Sequence, residues 1–145
     1  MNHKSLLFGI VCVLLFGCTE EINEIAHDLG DDTISAKLGS EFELNAGQSA
    51  SISSESLEIT FANITEDSRC PVDVLCVRAG EVKALVDIAK GNETGEVTLV
   101  FPKVGATEEF LGYSIDITGV KPEGRNRSER LELSNYTIKL LVSKK

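Results

Sequence analysis

Leu57-Glu-Ile-Thr-Phe61 and Val82-Lys-Ala-Leu-Val-Asp-Ile88 are the stretches that decide the fold of this chain. In the first, Leu57, Ile59 and Phe61 alternate with Glu58 and Thr60. In the second, Val82, Ala84, Val86 and Ile88 alternate with Lys83, Leu85 and Asp87. Successive strand side chains point to opposite faces, so an apolar set of period two marks a half-buried strand. Shorter runs of the same kind lie on either side: Phe42 and Leu44, the polar run Ser49–Ser53, Val97, Leu99 and Phe101, Tyr113, Ile115 and Ile117, and Tyr136, Ile138, Leu140 and Val142. Asn45-Ala-Gly-Gln48, Gly91-Asn-Glu-Thr-Gly95 and Lys121-Pro-Glu-Gly124 punctuate them as turns. About seven strands at intervals of roughly ten residues predict an all-β domain, a single antiparallel β-sandwich with an open β-barrel as the alternative.

Between the two deciding stretches runs Glu66-Asp-Ser-Arg-Cys-Pro-Val-Asp-Val-Leu-Cys-Val-Arg-Ala-Gly80. Cys70 and Cys76 are either a disulfide or two thiolate ligands beside Asp67 and Asp73. A structural zinc site needs two further ligands, and the only histidines, His3 and His27, lie far upstream. Glu66, Asp67 and Asp73 lack the spacing of a calcium loop. No metal and no cofactor is therefore expected.

The N-terminus decides between these readings. Lys4 is followed by an apolar run, Ser5 to Phe16, of signal-peptide length and too short to span a bilayer. It ends in Leu15-Phe16-Gly17-Cys18, which resembles the lipobox of bacterial lipoprotein signal peptides. The resemblance implies cleavage before Cys18, acylation of Cys18 (palmitate among the chains) and membrane anchoring, firm because two or three chains share the load. Export to an oxidising compartment then favours the Cys70–Cys76 disulfide.

The expected organisation is a signal peptide over 1–17, an acidic flexible tether over 18–38 and the β domain over 39–145. Glu20-Glu21 resembles the export signal of surface-displayed Bacteroidetes lipoproteins, and Asp32-Thr33-Ile34 the O-glycosylation site of that group. The first implies the cell surface, and the expected location is the cell envelope, anchored at the outer membrane on its periplasmic face or at the cell surface. Asp67-Ser-Arg-Cys-Pro71 followed by Cys76-Val-Arg-Ala-Gly-Glu81 resembles a signature of small secreted or lipid-anchored bacterial domains, with Arg78 in place of the usual Trp. That resemblance implies the disulfide and a β domain. It implies no activity.

A net charge of −9 argues against a nucleic-acid partner. The charge is uneven: Cys18 to Asp67 carries twelve acids and one base, Lys121 to Lys145 seven bases and three acids. Without a histidine after His27 there is no His–Ser or His–Cys dyad in the domain. Glu108-Glu109, or Asp67 with Asp73, are carboxylate pairs of the kind a glycosidase needs, but no Trp is present to stack a sugar. A non-catalytic binding module follows, with Asp67, Arg69, Asp73, Val74, Leu75 and Arg78 as the candidate binding loop for an envelope protein or glycan. An inhibitor of an extracytoplasmic hydrolase is one version of it. The competing expectation is a structural or accessory envelope lipoprotein, in which the loop caps the core and Val74 and Leu75 point inward.

Overall fold

A computed structural model describes residues 32–102 and 107–145. The expected signal segment 1–17, the lipidation candidate Cys18, the Glu20-Glu21 pair and the expected tether as far as Asp31 lie outside the described residues. Among the described residues nine strands form two sheets: β1 (Thr33–Ser35), β2 (Glu41–Asn45), β3 (Ser49–Ile52), β4 (Leu57–Asp67), β5 (Val82–Lys90), β6 (Glu93–Phe101), β7 (Glu108–Phe110), β8 (Tyr113–Lys121) and β9 (Thr137–Lys144). One sheet has the order β1-β3-β4-β5-β6 and the other β2-β9-β8-β7. Neighbours are antiparallel except β1, which runs parallel to β3. The sandwich, rather than the open barrel, is the architecture.

The apolar set of each strand turns inward as its alternation demands. Leu57, Ile59 and Phe61 meet Val82, Ala84, Val86 and Ile88 of the neighbouring strand, and Leu44, Ile115, Ile138, Leu140 and Val142 face them from the other sheet, all essentially inaccessible. Side chains of this size each contribute about 1.5–3 kcal/mol when fully buried. In β8 the register slips between Ile117 and Gly119, so the next inward residue is Val120, three positions on instead of two. One extra residue in a strand does this, and simple alternation misses it.

Two expectations are corrected. The domain starts before Gly39: β1 adds the end of the expected tether to the first sheet, and Ala36 is buried in the core. Thr33 of the Asp-Thr-Ile motif is accordingly half-buried in a paired strand. The turn expected over Gly91–Gly95 is confined to Gly91-Asn92, and Gly95 lies in β6, where the Phe110 ring occupies the space a side chain would need. That packing lets the short strand β7 close one edge of the sandwich. Glu108-Glu109 belongs to β7, with Glu109 paired to Lys145.

The two tyrosines of the chain close the two ends of the sandwich. At the end formed by Leu57, Lys90 and Lys144, the Tyr113 hydroxyl donates to Glu55 and accepts from Lys90, while Lys144 pairs with Glu55. At the other end Tyr136 donates to Asp67. Each hydroxyl ties one sheet to a carboxylate of the other. No buried side-chain polar atom among the described residues lacks a partner.

Candidate functional site

The connection from β4 to β5 rises from the Tyr136 end of the sandwich. Its neck is a short antiparallel ladder: Ser68 N–H donates to the Glu81 carbonyl at 2.8 Å and Cys70 N–H to the Ala79 carbonyl at 2.8 Å. Gly80 lets the strands come this close. Its φ is +72°, and an added Cβ would lie 1.8 Å from the Ser68 carbonyl oxygen. Above the neck Cys70 and Cys76 are disulfide-bonded, with Cα atoms 5.9 Å apart. A ring of about seven residues stabilises by roughly 2.4 kcal/mol in the chain-entropy account. With both sulfurs in that bond, the thiolate metal site does not form. No cluster that could hold a metal ion occurs among the described residues.

Below the neck the loop is bolted to the sandwich. Arg69 donates to both Asp67 oxygens, Nε to Oδ1 at 2.9 Å and Nη2 to Oδ2 at 2.7 Å, and its Nη1 donates to the Pro122 carbonyl at 2.7 Å. Tyr136 Oη donates to Asp67 Oδ2 at 2.9 Å. Only 8% of the Asp67 side chain and 11% of Arg69 is exposed. One flank of the loop is held by the segment after Pro122: Val72 N–H donates to the Arg125 carbonyl and Arg127 N–H to Asp73 Oδ1.

The six candidate residues therefore divide. Asp67 and Arg69 satisfy each other at the base, Asp73 caps a neighbouring backbone amide, and Val74 is half-buried. They do not form a free binding surface. Leu75 and Arg78 are exposed at the apex. Leu75 points outward with 104% relative exposure, and Val77 beside it with 103%. Val77, Tyr136 and Pro122 were not among the sequence candidates. The available signal was Val72, Val74, Leu75 and Val77 crowded into a turn-rich connection, too many aliphatic residues for an ordinary solvated loop.

Burial alone would raise the Asp67 carboxyl, but the hydrogen bonds from Arg69 and Tyr136 outweigh it and hold it below the usual range. Burial and the bond to Asp67 push the Tyr136 hydroxyl up to about 12. Tyr113 and Lys144 lower Glu55, and Lys83 lowers Glu66. A carboxylate depressed by folding contributes stability above its unfolded value, and that contribution disappears as pH falls through the folded value. The melting temperature is thus expected to hold on acidification to about pH 4 and fall steeply below it. Asp67→Asn flattens that limb. A raised tyrosine works oppositely, so stability also declines as pH rises from about 10 towards the folded value. Melting curves across the full pH range check both limbs.

A concavity of about 410 Å³ lies on the other sheet near Gly119, between Glu43, Lys121 and Lys139. Glu43 is already paired with both lysines. The fold and this loop define a class: a two-sheet β protein carrying one disulfide-closed, side-braced hairpin loop with an aliphatic apex. No family model, curated protein or solved structure matches the chain. No helix among the described residues is long and apolar enough to cross a membrane.

Proposed function

We propose that the protein is a lipid-anchored component of the cell envelope, held at the outer membrane through Cys18. It acts as a non-catalytic interaction module whose contact surface is the apex of the disulfide loop. One observation carries this reading: Leu75 and Val77 are fully exposed on a loop whose base and flank are fixed by hydrogen bonds. A loop that only capped the core would turn these side chains inward. A rigid loop also loses little conformational freedom when it binds, which favours recognition. The capping role keeps a share, because Asp67, Arg69 and Val74 serve the base.

The test is retention by envelope membranes and envelope extract of the Cys18→Ser protein, in which the anchor does not mask the loop, with and without reductant, compared with a Leu75→Asp/Val77→Asp variant in the same background. Because both residues are exposed, the variant is expected to melt like the parent. Its retention by the loop's ligand is expected to drop by about tenfold or more, the equivalent of 1.4 kcal/mol. Equal retention of variant and parent would assign the loop to capping alone.

A further inference from the structure

We propose that the loop apex contacts lipid: Leu75 and Val77 enter the headgroup region of the membrane that carries the anchor. This rests on the reading of Cys18 as the anchor and of the loop as the contact surface.

The first argument is where the chain enters the fold. β1 runs parallel to β3, and β3 starts beside Thr60 and runs away from the end where β4 delivers the disulfide loop. The chain before Thr33 therefore leaves towards the loop end, and the Asp32 carboxylate is fixed there by Gln48 of the β2–β3 turn at 3.0 Å. Thirteen residues separate Cys18 from Asp32. They span at most about 50 Å when extended. β4 continues seven residues past Thr60, about 23 Å of strand, so the apex and the anchor fall within reach of one plane.

The second argument is size. A stable protein–protein contact buries roughly 800 Å² on each partner, far more than two aliphatic side chains supply. Insertion of two such side chains into a bilayer is weak, but an anchored domain samples the surface at an effective concentration that makes weak contacts productive.

The third argument is charge. Arg78, Arg127 and Arg130 are exposed at this end and have no carboxylate partner among the described residues. Guanidinium groups pair with lipid phosphates through paired donors. Of the acids in the same segments, Asp73, Glu129 and Glu132 already accept from the Arg127, Asn126 and Asn135 amides, and Glu123 is exposed beside them. The opposite end presents Glu41, Glu93, Glu108 and Glu109, and its lysines Lys144 and Lys145 are paired with Glu55 and Glu109.

The chain contains no Trp, so Leu75→Trp introduces a single reporter. The full-length acylated variant is reconstituted into vesicles of phosphatidylethanolamine and phosphatidylglycerol, with and without brominated acyl chains. Association is scored separately by flotation. Expected is a blue-shifted emission that loses most of its intensity to the bromolipid, while Asn92→Trp at the opposite end stays water-like and unquenched. A floating protein whose Leu75→Trp signal is unquenched overturns the inference and leaves the anchor standing. If that signal is nevertheless blue-shifted, the apex is covered by protein, either the acidic tether or a partner. If the parent floats no better than Cys18→Ser, the anchor reading fails and the lipid contact fails with it.

Discussion

Asp67→Ala is expected to destabilise the protein by about 3 kcal/mol, the lower part of the range for breaking one side of a buried ion pair. The pair is 8% and 11% exposed, so the arginine left behind cannot simply turn into water. It would retain the Pro122 carbonyl and nothing else of its present set, and the Tyr136 hydroxyl would lose its acceptor. The loss comes mainly from stranding these groups. A double replacement, Asp67→Leu with Arg69→Met, removes both charges and is expected to recover most of the stability. Urea unfolding of the single and double variants measures this. A loss under about 1 kcal/mol for the single variant would show that the pair behaves like an exposed one. Absorbance titration adds an independent reading: with Asp67 gone, the Tyr136 hydroxyl, now at about 12, should titrate nearer the ordinary tyrosine value.

The fold was legible because most of it follows from local alternation. Leu57–Phe61, Val82–Ile88 and the last strand place their apolar residues on one face with no help from tertiary context, and two packed sheets are the simplest way to bury such faces. What escaped depended on distant partners. Thr33–Ser35 is three residues long with no apolar period, and only β3 makes it a strand. The pairing of Glu108–Phe110 depends on β8 in the same way, and the Phe110 ring covers a glycine fifteen residues upstream. The disulfide was readable from the cysteine count together with the export expected from the N-terminal sequence. The roles around it were not. Asp67 and Arg69 look like free charges in the sequence, because Tyr136, 69 residues away, and Pro122 are what enclose them. Leu75, which the sequence leaves open between a binding and a core-capping role, and Val77, which it does not single out, are the most exposed aliphatic side chains described.

Gly80→Ala tests whether that exposed apex depends on its neck. The substitution forces a left-handed φ of +72° on a residue with a Cβ, which costs about 1–2 kcal/mol. It also drives the Cβ against the Ser68 carbonyl, a backbone atom of a residue held to Glu81 across the neck, so relief requires the neck to open. The Ser68–Glu81 and Cys70–Ala79 bonds lie on either side of that contact. Losing one of them adds about 1 kcal/mol, for a total near 3 kcal/mol. Because the disulfide lies above the neck and the Asp67–Arg69 pair below it, the damage should be regional. Amide exchange should accelerate at Ser68, Cys70 and Glu81, while Ile59, Val86 and Leu140 keep their protection. Unchanged exchange at the neck would mean that the apex is positioned by the Val72–Arg125 and Asp73–Arg127 bonds alone. In that case the segment after Pro122, and not the β4–β5 hairpin, sets the orientation of Leu75 and Val77.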